Sequence, residues 1–315
     1  MLSRRHLRIK VMNALYALEQ KAFKDVEQAE SYLFDDISKV YNVYLSLLYS
    51  LTEVINYSVE DLEITKSKYI FKEEHKLSSD QLFENRISKC LIENCGIEDL
   101  LKKAKVKFSI DEKLIKSIFI DLKNSEPYQN YLLNTDKGKK DDLYILEYLF
   151  LDILISNENF HQHMEDNWLS WEEDQGFLVK LILKTLERAA NKPNKPQLIS
   201  KTSKFWDEEK DFVKNLFQKG VYDKSIFQKY IIKHTKNWEI DRITTLDSIL
   251  LNMAIAELMY FDKIPARVTL DEYIEISKEY STPKSKEFIN GLLDRIMKDL
   301  VKEGLINREV KQILR

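Results

Sequence analysis

The chain has 315 residues, 49 Lys plus Arg against 52 Asp plus Glu, and a formal net charge of −3. Glycine and proline supply only 11 residues between them, under a third of average usage. Strands need turns, and turns need Gly, Pro, Asn and Asp, so long all-β and α/β chains and enzymes built on glycine-rich phosphate loops are excluded, and an all-α protein is expected.

The first helix starts after Ser3, a suitable N-cap. Leu7, Val11, Ala14 and Leu18 form its core stripe. Arg5, Arg8, Met12 and Tyr16 fall on a flanking arc about 80° wide. Arginines at a helix N-terminus oppose the macrodipole, which favours a use other than stability. A second, strongly apolar helix is predicted over 35–58, with Tyr41, Tyr44 and Tyr49 at its core and core edge. Residues 65–85 read as a connection. Short helices follow near 84–95, 111–124, 127–133 and 141–156, and a longer one near 173–191. The stretch 189–203, with Pro193 and Pro196, reads as a linker.

Beyond it, helices are predicted at 207–219 and 223–235. A helix over 240–261 is apolar nearly all round and should be the central buried one; it ends before Pro265. Thr269-Leu270-Asp271-Glu272 has the pattern of a capping box opening a helix over 270–280. Thr282 and Pro283 read as N-cap and first residue of the last helix, which Gly304 stops. Its core stripe is Ile289, Leu293, Ile296 and Leu300. Phe288 lies about 110° from the centre of that stripe, on the side of Lys284 and Gly291. An off-core aromatic beside Lys284 and Lys286 suits stacking on an unpaired base with phosphate held nearby. Glu257 falls inside the stripe of Leu246, Leu250, Met253 and Ala254, so it needs a buried partner. Arg4 is the expected one, leaving Arg5 and Arg8 for an anion.

No run approaches 18 apolar residues, so no membrane span is expected, and no signal peptide is read. Two cysteines, Cys90 and Cys95, make no disulfide framework, and a cytoplasmic protein is expected. No zinc, nucleotide or nucleophile motif occurs, so no metal, cofactor or catalysis is expected. Charge is uneven: residues 1–30 carry six basic and four acidic residues, 278–315 nine and six, and 31–277 net −8. Both ends are basic, which points to an anionic partner there.

The stretches SRRHLRIKVMNALY and NWEIDRITTLDSILLNMAIAELMYFDKIPARVTLDEYIEISKEYSTPKSKEFINGLLDRI resemble the NusB transcription antitermination family. The resemblance covers about 1–30 and 205–310. It implies a NusB-like helical RNA-binding bundle formed by 1–30 and 205–315, with 31–204 as a large helical insertion. It also implies binding of boxA-type single-stranded RNA from ribosomal RNA transcripts together with NusE, a small-subunit ribosomal protein, within the RNA polymerase antitermination complex. By resemblance Arg4, Arg5, His6 and Arg8 form the family's basic motif, Tyr16 and Phe288 face RNA, and Asp247 contacts NusE. His6 stands where the family often has Arg, and Lys284 where it often has an acid. The rival reading is a helical protein-interaction adaptor without RNA contact; it gains if Arg5, Arg8, Tyr16, Lys284 and Phe288 do not converge. A methylase is disfavoured, because no glycine-rich cofactor segment follows the helices.

Overall fold

A computed structural model describes residues 3–67, 79–192, 204–235 and 243–306, with the side chains of Asn94 and of 204–208 excepted. The expected linker at 189–203 and the connection at 65–85 lie largely outside the described residues. All regular elements among those described are helical. In chain order they are α1 (Arg4–Glu19), α2 (Val26–Lys66), α3 (Gln81–Glu84), α4 (Arg86–Lys89), α5 (Ile97–Lys103), α6 (Glu112–Asn124), α7 (Glu126–Leu133) and α8 (Lys139–Tyr148). Then come α9 (Glu158–Asn167), α10 (Trp171–Asn191), α11 (Lys204–Tyr222), α12 (Lys224–His234), α13 (Thr245–Tyr260), α14 (Ala266–Tyr280) and α15 (Ser285–Lys302). α4 and α8 each run on into a wider π-helical turn, Cys90–Asn94 and Leu149–Ile155. No helix among the described residues is long and apolar enough to cross a membrane.

The chain forms two compact units, Met1–Ile37 with Lys201–Arg315, and Ser38–Ser200. The first division falls inside α2. That helix is 41 residues long, and the apolar stretch 35–58 is only its middle.

In the first unit α13 is the centre. Every residue from Ile249 to Leu258 is buried, and α1, α11, α12, α14 and α15 all pack on it. A helix enclosed on all sides must be apolar all round, which is why this one carries no polar stripe. Leu7 and Val11 of α1 share a core with Leu216, Leu250, Ala254, Ile289 and Leu293. α11 lies close on α1 at Gly220, where a Cβ would stand 2.9 Å from Leu15 Cδ1. Several helix starts differ from expectation: α11 begins at Lys204, not 207, and α13 at Thr245, with Thr244 as its N-cap, not at 240. α14 begins at Ala266, directly after Pro265, so Thr269 is inside the helix and is no cap. α15 begins at Ser285, and Pro283 belongs to the turn before it. Gly304, at φ 70°, stands just past the end of α15.

The second unit is cored by Val43, Leu47, Leu51 and Val54 of α2 with Phe119, Tyr128, Leu146, Phe150, Leu178 and Ile182. The Tyr44 hydroxyl meets Thr185 Oγ1 at 2.9 Å. A buried polar knot joins the α3–α4 junction, α7 and α8. Tyr131 donates to Asp142 Oδ1 at 3.0 Å, and Asn85 Nδ2 donates to Tyr131 Oη and to the Asp142 carbonyl. Tyr131→Phe should therefore cost about 1–3 kcal/mol, the usual penalty for stranding buried polar partners. Urea unfolding of the variant checks it.

Candidate nucleic-acid interface

The first helix supplies fewer free cations than its sequence suggests. Ser3 Oγ accepts from the His6 amide at 3.2 Å and caps it. From His6 to Met12 every residue is buried. Arg8 is 2% exposed and forms a bidentate pair with Glu257, which is 0% exposed, at 2.6 and 2.8 Å. Glu257 also accepts from Thr269 Oγ1 at 2.8 Å and Tyr273 Oη at 3.2 Å. Burial, followed by the neighbouring Glu257 carboxylate, pushes the Tyr273 hydroxyl well above the usual tyrosine range. The buried acid therefore exists, but its partner is Arg8. Arg4 lies outside the core with its guanidinium 5.3 Å from the Phe212 ring centre. The reason is position: Arg8 shares a face with Met12 and Leu15, which are core residues, whereas Arg4 is the exposed first residue of the helix. Arg8 thus leaves the set of phosphate contacts. His6 leaves it too, since it is 5% exposed. Lys10 is buried as well, 3.0 Å from Asp36.

Arg5 remains at the surface, 43% exposed, and pairs with Glu272 at 2.9 and 3.0 Å. That hydrogen bond is the main cause raising its already high pKa. A half-exposed pair contributes little, so Arg5→Ala should cost at most about 1 kcal/mol in a thermal melt. Tyr16 is 42% exposed.

The second place is a groove of 720 Å³ between α15, the start of α13 and the end of α12. Thr244, Lys284, Phe288, Gly291 and Arg295 line it. Lys284, Phe288, Gly291 and Arg295 fall within about 60° of arc on α15, at 100° per residue. Phe288 is half-buried and packs on the core from one side. Lys284, Lys286 and Arg295 are exposed and form no ion pair among the described residues. α15 has no side-chain cap at its start, and its first amide donates to the Thr282 carbonyl at 2.9 Å. His234 also lines the groove, with Nε2 2.7 Å from Asp299.

Asp247 also lines this groove, with little of its side chain at the surface. It is 4% exposed, and its two oxygens accept the hydroxyls of Ser281 at 2.6 Å and Ser285 at 2.8 Å. Its amide donates to Thr244 Oγ1. The carboxylate thus ties the first turn of α13 to that of α15 and fixes the groove's shape.

No residue of α1 lines the groove. Glu275 of α14 feels charges from both places. Its hydrogen bond to Lys278 chiefly lowers its pKa, and Arg5 and Lys286 both add to the effect. Arg5 and Lys286 therefore act on one acidic side chain. Beyond Glu257, Arg8 reaches Glu272, the carboxylate that Arg5 holds, at 3.5 Å. Arg5, Arg8, Tyr16, Lys284 and Phe288 thus do not converge on one surface, and on that measure the protein-interaction adaptor gains. Arg295 was missed by sequence reasoning, although it stands seven residues from Phe288, two turns along the same face.

A family model described as "NusB family" matches residues 173–298. The transcription antitermination protein NusB of Salinibacter ruber is 43% identical over 99 residues, 31% of this chain and 62% of that protein. Its counterpart in Chloroherpeton thalassium is 36% identical over 99 residues, 31% of this chain and 47% of that protein. That of Thermodesulfovibrio yellowstonii is 38% identical over 104 residues, 30% of this chain and 69% of that protein. The chain spans 62% and 47% of the first two of these relatives. The family match begins in α10, upstream of residue 205, and does not extend to residues 1–30. No solved structure matches the chain.

Proposed function

The chain belongs to the NusB family, and from that premise we propose that it acts in transcription antitermination by binding single-stranded boxA-type RNA along the α15 groove. In this reading NusE, the small-subunit ribosomal protein, is its partner, and the RNA polymerase antitermination complex is its setting. The observation that carries the reading is the α15 stripe of Lys284, Phe288 and Arg295. An aromatic face beside unpaired cations matches what an unstacked base and its phosphates require. Arg4, Arg5 and Tyr16 form a flanking surface, and Arg5 exchanges its carboxylate partner for a phosphate when RNA arrives.

Charge supports the same assignment. The unit bearing the groove holds 27 basic and 25 acidic residues, net +2, whereas Ser38–Ser200 holds 22 and 27, net −5. A polyanion is drawn to the first and repelled by the second. Two or three phosphate contacts make a weak binder, which suits a protein that binds RNA well only beside a partner.

The test is fluorescence anisotropy with a boxA-like and a scrambled strand, each with and without NusE. The expected result is preference for the boxA-like strand, sharpened by NusE. Equal, weak binding in all four cases would leave the protein-interaction adaptor as the better account.

A further inference from the structure

Gly291 is exposed in mid-α15, and a Cβ built on it would meet nothing within 4 Å. Its backbone φ is not positive. Neither packing nor backbone geometry therefore asks for glycine here, and glycine in a helix interior is destabilising relative to alanine. The contrast with Gly220 is direct, since there a Cβ would come within 2.9 Å of Leu15. What sets Gly291 apart is its place. It lies on the groove between Phe288 and Arg295, where any side chain would project into the open space.

We propose that Gly291 and Arg295 form a second nucleotide position on α15: a base lies over the bare helix surface at Gly291, next to the base stacked on Phe288, and Arg295 holds its phosphate. The inference rests on the RNA reading of this groove. Lys284 and Arg295 stand eleven residues apart, about 16 Å along the axis, with the aromatic and the glycine between them. The cations thus bracket a floor that is flat at two adjacent places. The occupant is a short unpaired RNA step. Ile243, Phe288 and Leu292 give the groove apolar lining, but the exposed, unpaired Lys284 and Arg295 at its two ends favour a polyanion over an apolar helix face.

The experiment measures boxA-like RNA binding by the full chain with NusE present, for wild type, Gly291→Leu, Gly291→Ala, Arg295→Gln and Phe288→Ala. Gly291→Leu changes no charge and favours helix, so melting temperature should hold or rise. Its RNA affinity should fall about tenfold or more, with the salt slope unchanged. Gly291→Ala should fall less, and covers the case in which leucine disturbs folding. Arg295→Gln should reduce the salt slope by about 0.7, the loss of one phosphate contact on a single strand. An RNA made abasic at the second position should bind wild type and Gly291→Leu alike. If both Gly291 variants bind as wild type while Phe288→Ala does not, the second position is wrong and the RNA reading stands. If wild type itself binds no RNA, both fall together.

Discussion

Arg8→Met will lower the stability of the first unit by about 3–5 kcal/mol, the usual cost of leaving one partner of a buried ion pair alone. Glu257 is fully enclosed, and Arg8 provides its bidentate contact. Thr269 and Tyr273 donate to the same carboxylate, but they bring no positive charge. Arg4→Met should cost far less, because among the described residues Arg4 is exposed and meets an aromatic ring at the helix end. The double variant Arg8→Met with Glu257→Leu removes both charges and should recover most of the loss. Urea unfolding of the four proteins gives the coupling directly. If Arg8→Met melts like wild type while Arg4→Met does not, Arg4 is the true partner.

Phe288→Ala will weaken RNA binding by about 1–3 kcal/mol, the scale of one stacked base, and leave the salt slope alone. Since Phe288 is half-buried against the core, the same change should also cost about 1 kcal/mol of folding stability. Phe288→Leu separates the two effects: it keeps the packing and loses the aromatic face. Its melting temperature should approach wild type while RNA affinity stays low. Lys284→Ala should do the reverse in salt titrations, flattening the slope by about 0.7. Wild-type affinity in Phe288→Leu would make Phe288 a packing residue only.

Much of the fold was legible because composition and periodicity act locally. The shortage of Gly and Pro forced helices, the unbroken apolarity of residues 249–258 marked the central one, and Gly304 marked an end. What periodicity cannot give is how many neighbours a helix has. The stripe Leu7, Val11, Ala14, Leu18 shows one buried side of α1, but α11, α13 and α14 all pack on this helix, so Arg8, Met12 and Leu15 are enclosed as well. That error moved the ion pair from Arg8 to Arg4. Thr269 was misread for a related reason. A threonine can cap a helix or donate to a buried acid, and only the position of Glu257 decides between them. Asp247 shows the same limit, since an acid at a helix start looks exposed until Ser281 and Ser285 close over it. The α15 face was readable from Phe288, yet Arg295 looked like part of a solvated charged surface until the groove gave it a setting.

The most direct test of the central claim is photo-cross-linking of a 4-thiouridine-substituted boxA-like strand to the full chain with NusE, read by mass spectrometry of tryptic peptides. The account predicts cross-links in the peptide 287–295, which contains Phe288 and Gly291, and their loss in Phe288→Leu. Cross-links confined to residues 38–200 would contradict it.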